Sequence, residues 1–313
     1  MFGKDLSLSV ISALIGVLVL LVIASGVSIT LKRLRPNNDY QELRQRVKSW
    51  WLMIALVFAA LLMGKGVSTV FFGFLSFLAL KEFLSIVPTR MTDRRVILWL
   101  YLAIPVHYYW VYAEWYGMFI IFIPVYLFLF IPTRMLLVGE TEGFIRSAAR
   151  YHWAVMATVF CLSHIPYLLV LPASVNPAGG PIGLIIYLLF LTQFNDVAQY
   201  VWGKTLGKRK IAPLISPNKT WGGFLGGLLT TMAAAALLAE HLTPLSWQEG
   251  LIAGAIIGPA GFVGDLTMSA VKRDLKIKDT SQLIPGHGGI LDRLDSLIYS
   301  SPLFFHYLYY LKY

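Results

Sequence analysis

The sequence predicts an all-α, polytopic integral membrane bundle of about nine to ten transmembrane helices, and three observations carry that expectation. Of its 313 residues, 57% are hydrophobic and only 13% are charged, whereas roughly 25% are charged in a soluble domain. Apolar runs approaching the ~17–25 residues that cross a bilayer as helices recur along the whole chain. The charge between those runs alternates: 22 of the 26 Lys and Arg residues fall in every second loop.

The runs lie at residues 6–30, 50–63, 67–87, 96–112, 117–131, 151–171, 181–202, 223–240, 250–271 and 296–311, the second, fifth and last being short. The first follows a weak basic start, Lys4 beside Asp5, and is too long for a signal-peptide core, so it reads as a transmembrane helix. The start carries no organelle-targeting pattern, and a bacterial inner membrane is the expected location. Loops after the first, third, fifth, seventh and ninth runs hold the basic residues, so these five loops are expected on the cytoplasmic side. Residues 35–51 form a basic connector ending in Trp50 and Trp51; it reads either as a solvated loop with an aromatic anchor or as an interfacial helix sensing headgroups. Cys161 is the single cysteine, which excludes an intramolecular disulfide and a CxxC metal site. The net charge of +10 is explained by the positive-inside bias and by phosphate-bearing ligands, without nucleic acid as a partner. Residues 1–180 read as a scaffold and 181–313 as the part that carries chemistry, within one continuous membrane domain.

Ionisable groups near lipid are costly, so where they gather they mark function. Asn195-Asp196 lies within the seventh run, about two turns before its basic end. Asp196 there needs a cation, a basic partner or a proton, or else a packing role closed by hydrogen bonds; Tyr200, four residues on, shares its face. Ser216-Pro217-Asn218-Lys219-Thr220-Trp221 precedes a glycine-rich helix start. Free N–H groups, a lysine and hydroxyls suit an anion, and an ordinary N-cap at Ser216 or Thr220 is the plain alternative.

Residues 264–295 are the densest stretch, with Lys272, Arg273, Lys276, Lys278 and Arg293 among Asp265, Asp274, Asp279, Asp292 and Asp295. Asp265, Ser269 and Lys272 form one stripe if the ninth helix extends that far. Asp292 and Asp295 share a face at the start of the last helix. In the Pro285-Gly286-His287-Gly288-Gly289 turn the glycines let backbone approach a ligand. His287 reads as a proton donor, a phosphate contact or a loop cap. Asp265 and Asp292, arriving from two helices with oxygen ligands, favour Mg²⁺, alone or with a second cation, over Zn²⁺. Carboxylates, a hard cation and basic side chains together suit phosphoryl or nucleotidyl transfer.

From Ser269 through Val271-Lys272-Arg273, Lys278-Asp279, Ser281, Ile284-Pro285, His287-Gly288-Gly289-Ile290 and Asp292-Arg293-Leu294-Asp295, the chain resembles the full signature of the phosphatidate cytidylyltransferases, the CDP-diacylglycerol synthases. The segments around residues 195–200 and 216–221 resemble that family too, so the likeness covers roughly the last 120 residues. It implies transfer of CMP from CTP to phosphatidate or a related anionic phospholipid, with pyrophosphate released. It further implies Asp265, Asp292 and Asp196 as metal ligands, with Asp265, Asp292, Lys272 and Arg293 as the catalytic set. Asn195, Ser216, Lys219, Thr220, Ser269, Arg273, Lys278, His287, Gly288 and Gly289 are then expected around the substrate phosphates. The family commonly carries Glu after Lys-Thr-Trp, where this chain has Gly222. Two other readings stay open: a CTP-dependent lipid kinase, which would release CDP, and a non-catalytic membrane paralogue. Membrane lipids are partners in all three, and a homodimer is compatible with the abundant apolar surface.

Overall fold

Backbone that enters lipid must satisfy its own N–H and C=O groups, so long apolar runs fold as helices. The computed structural model describes residues 6–34 and 40–313. Within them the ten runs become α1 (Leu8–Leu34), α2 (Gln41–Leu62), α3 (Lys65–Ile86), α4 (Arg94–Tyr112), α5 (Tyr116–Leu136), α6 (Phe144–Val170), α7 (Gly180–Thr205), α8 (Trp221–Leu242), α9 (Trp247–Asp274) and α10 (Leu291–Lys312). Eight of them, all but α4 and α10, are long and apolar enough to cross a membrane by length and composition. The protein is an all-α polytopic membrane protein. Lys4, Asp5 and Arg35 lie outside the described residues.

Several helices start earlier than apolarity alone indicates. α2 begins at Gln41, so the described part of the 35–51 connector is helix rather than loop. Its first turns are Gln-Glu-Leu-Arg-Gln-Arg, all strong helix formers, and Arg46 pairs with Glu42 one turn back at 2.5 Å. α10 begins at Leu291, which puts Asp292 in its first turn. One short antiparallel hairpin interrupts the helices: β1 (Lys210–Ala212) pairs with β2 (Ser216–Thr220), in the register Lys210 to Thr220 and Ala212 to Ser216.

The closest packing joins α7, α8, α9 and α10 in sequence. In a bilayer helices gain little from apolar burial and associate through close packing and polar contacts. Asn195, fully buried, supplies both. Its Nδ2 donates to Gly258 O at 3.1 Å, and its Oδ1 accepts from Thr231 Oγ1 at 3.2 Å, so one α7 side chain ties α8 and α9. Gly264 lets α9 pass against the backbone of Asp295, where any Cβ would overlap the Asp295 carbonyl. α3 and α6 pack on α10 from the other side. Leu80, Leu168, Tyr187, Phe304 and Phe305 fill the centre with no exposure.

The basic loops meet at one end of the bundle. Arg150 donates to Pro88 O at 2.9 Å, Arg90 to Glu142 O at 2.6 Å, Arg273 to Ile215 O at 3.2 Å and Arg46 to Gly286 O at 3.1 Å. The Arg90 guanidinium grips Asp93 at 2.7 Å, which holds its proton more firmly than usual. The sparsely charged loops meet at the opposite end, where Lys312 pairs with Glu249 at 2.8 Å and Lys65 with Glu114.

Candidate active site

Three helices and the hairpin converge at the basic end. Alternation along β2 separates Lys219 from the face carrying Ser216 and Thr220. Lys219 Nζ lies 2.7 Å from Asp265 Oδ2, donates to Gln199 Oε1 at 3.1 Å, and sits 5.3 Å over the Phe262 ring. Thr220 caps α8 by accepting from Gly223 N at 3.1 Å, so the plain alternative holds for that residue. Ser216 stays in the hairpin ladder opposite Ala212.

α9 continues to Asp274 and realises the expected stripe. Ser269 Oγ donates to Asp265 Oδ1 at 3.3 Å, and Lys272 Nζ reaches Asp292 Oδ1 at 2.7 Å. Arg273 serves the hairpin through its bond to Ile215 O. The charges of Asp196 on α7, Asp265 on α9 and Asp295 on α10 act on one another, with Lys219 and Arg293 also acting on Asp196. Asp196 Oδ2 accepts from Ser296 Oγ at 3.0 Å, while its Oδ1 is buried without a partner. Gln199 Nε2 and Arg293 Nε, from neighbouring positions, are orphaned in the same way. Buried polar atoms are nearly always paired, so orphans of both signs in one place mark where a ligand or water completes the site.

Asp265 and Asp292, the expected pair, stand in different surroundings: Asp265 meets Lys219 and Ser269, and Asp292 meets the 280–289 loop and Lys272. Asp292 Oδ2 accepts from Thr280 N at 2.8 Å, Thr280 Oγ1 at 2.9 Å and Gly289 N at 3.0 Å, while Oδ1 takes Lys272. Oδ2 is thus enclosed by the 280–289 loop, sharing the one Thr280 hydroxyl proton with Glu82, while Oδ1 takes a single donor, Lys272. Asp295, one turn further on, accepts from Ser296 N at 2.7 Å. Asn195 is likewise committed, to helix–helix bonds rather than to an open site. Lys278 is exposed. Gly289 serves the turn through its N–H, and Gly288, with φ +81°, carries the carbonyl that accepts from Ile284 N at 2.8 Å. Tyr200 is largely exposed, 5.7 Å below Lys204.

His287 is buried in this loop against Trp50, with Nδ1 unpartnered. Burial, with Arg293 and Arg46 nearby, pushes its imidazole down to about 4. Burial and two neighbouring guanidiniums thus both favour the neutral imidazole in this loop.

Sequence reasoning missed Glu82 on α3. It accepts from Thr280 Oγ1 at 3.1 Å, Ser281 Oγ at 2.7 Å, Ile290 N at 3.0 Å and Leu291 N at 2.9 Å. Its signal was present: a carboxylate in the apolar run at 67–87 asks for a partner. The residue at 222, where the resemblance leads one to expect Glu, has no room to spare. A Cβ on Gly222 would lie 2.7 Å from Leu206 O and 3.3 Å from Gly207 Cα.

Among the described residues no three His, Cys, Asp or Glu side chains form a ready-made cage. Mg²⁺ is commonly held by one or two carboxylates plus substrate phosphates, so the orphaned Asp196 Oδ1 beside Asp265 fits it.

The model of the family described as "Cytidylyltransferase family" matches residues 44–311. The chain is 40% identical over 295 residues to the Escherichia coli (strain K12) "Uncharacterized protein YnbB", covering 94% of this chain and 96% of that one. It is 42% identical over 132 residues to the phosphatidate cytidylyltransferase of Haemophilus influenzae, covering 41% of this chain and 46% of that enzyme. It is 36% identical over 162 residues to that of Mycobacterium bovis, covering 51% and 53% respectively. The aligned stretch thus spans about half the length of each of these two enzymes.

Proposed function

The chain belongs to the cytidylyltransferase family, and from that membership we propose that it transfers CMP from CTP to phosphatidate or a closely related anionic phospholipid. The observation that carries the proposal is the meeting of Asp196, Asp265 and Asp295 with Lys219 and Arg293 at the basic end of the bundle, around orphaned polar atoms. The positive-inside bias supports a cytoplasmic site in a bacterial inner membrane. There a lipid phosphate at headgroup level and a water-soluble nucleotide can meet.

A phosphate oxygen of the lipid attacks the α-phosphorus of CTP, a new P–O bond forms, and the bond to the β-phosphate bridging oxygen breaks. The electron pair leaves with pyrophosphate. The nucleophile is already an anion, so the chain need not remove a proton from it. Its work is positioning and charge neutralisation. Lys219 and Lys272 are each held by a carboxylate at 2.7 Å, which fixes where their charge stands. An arriving polyphosphate competes with Asp265 for Lys219 and frees that carboxylate. Asp196 and Asp265 would hold Mg²⁺ together with substrate phosphates, and the ion when bound would supply charge neutralisation there.

Purified protein in mixed micelles with phosphatidate, Mg²⁺ and CTP labelled at the α or γ position tests this. The expected result is α-label in lipid and γ-label in pyrophosphate. Release of CDP with γ-label in lipid would replace the proposal by the kinase reading. No turnover beside an active phosphatidate cytidylyltransferase would overturn it.

A further inference from the structure

Glu82 belongs to α3, in the half expected to act only as scaffold, yet its four hydrogen bonds all go to the loop between α9 and α10 and to the start of α10. Two come from the loop's entry, Thr280 and Ser281, and two from its exit, Ile290 and Leu291. The carboxylate is buried, and among the described residues it makes no ion pair. Its charge is met instead by backbone N–H groups at the α10 N-terminus, where the helix field favours an anion. The Thr280 hydroxyl stands 3.1 Å from Glu82 Oε2 and 2.9 Å from Asp292 Oδ2, so its one proton is shared between the two carboxylates and links them. Gly289 is shaped by the same arrangement, because a Cβ there would overlap both Thr280 Oγ1 and Glu82 Oε2. α2 adds two further ties, Ser49 Oγ to Pro285 O at 2.8 Å and Arg46 Nε to Gly286 O.

We infer that Glu82 is a positioning residue for the nucleotide-phosphate site: it closes the 280–290 loop so that Asp292 presents Lys272 at a fixed place. The inference rests on the proposed function for its kinetic consequence, and on geometry alone for the loop. Glu82 touches no reacting atom. It acts through Thr280 and Asp292 on Lys272. A Gln at 82 keeps the shape but loses the charge, and whichever way it is turned its amide NH₂ faces a backbone N–H, of Ile290 or Leu291, that is itself a donor.

The test uses full-length Glu82→Gln and the milder Ser281→Ala, which removes one of the four bonds. Hydrogen–deuterium exchange of residues 275–290 is followed in detergent, and the KM for CTP is measured apart from kcat. Glu82→Gln should speed exchange in the loop and raise the KM for CTP on the order of 10-fold, a misplacement of a binding group being worth up to ~10²-fold. Ser281→Ala should shift both in the same direction by less. A residue that matters only for folding would lower the active fraction and leave KM unchanged, and that outcome overturns the inference. Unchanged loop exchange in Glu82→Gln overturns it as well. The exchange arm needs no turnover, so it separates a failure of this inference from a failure of the proposed activity.

Discussion

Lys219 Nζ stands 2.7 Å from Asp265 Oδ2, joining the hairpin after α7 to the first residue of α9's polar stripe. Neither residue has another oppositely charged partner among the described ion pairs. The pair therefore fixes one cation and one anion at the basic end of the bundle, and on the proposed function both are there for the nucleotide phosphates. Lys219→Ala should lower the rate of CTP-dependent pyrophosphate release by ~10²-fold or more, the usual scale for removing one preorganised charge-stabilising group. Initial-rate assays on folded protein check this.

Asp292 and Asp196 should separate stability from activity. Asp292→Asn replaces an acceptor of four bonds by an amide and should cost about 3 kcal/mol, the scale for charged hydrogen bonds in a buried site. Asp196→Asn relieves a buried oxygen that has no partner, in a cluster of like charges. It should leave stability unchanged or raised while abolishing turnover. Thermal unfolding in detergent with parallel activity assays reads both variants.

Gly222 should not tolerate the Glu that the family resemblance leads one to expect. Gly222→Ala already brings a methyl to 2.7 Å from the Leu206 carbonyl and should cost ~1–3 kcal/mol, as overpacking usually does. Gly222→Glu should be less stable still and gain no activity. Melting temperatures and pyrophosphate release decide it.

His287 gives a pH dependence whose sign follows from burial. Its imidazole titrates near 4 in the folded loop and near 6.5 in the unfolded chain. Between those values the unfolded chain binds a proton that the folded loop refuses. The loop's stability is therefore undiminished above about pH 6.5 and falls as pH drops toward 4. His287→Gln should flatten that part of the stability–pH curve, measured by unfolding at fixed ionic strength.

The helices were legible because apolar runs and alternating basic loops report directly on bilayer thickness and sidedness. Asp265, Ser269 and Lys272 were legible because helical spacing aligns them once α9 is long enough. Asp292 and Asp295 were harder to tell apart. Both sit on one face, and only the fold of the 280–289 loop decides which carboxylate is consumed by backbone N–H groups. Glu82 was visible as an oddity in an apolar run, but its partners are about 200 residues away, a pairing that no local pattern encodes. For residues 35–51 a helix was one of two readings, and hydropathy could not decide for it or fix the start of α2 at Gln41 because the first turns are polar.

α9 carries Asp265 and Lys272 on one continuous helix. Seven residues at 1.5 Å of rise separate the two positions by roughly 10 Å along the axis. That spacing works as a fixed ruler: whatever binds between them must suit its length. If the proposed transfer holds, adjustment to different acceptor lipids falls to the parts that are not graduated in this way, the hairpin carrying Lys219 and the loop ending at α10.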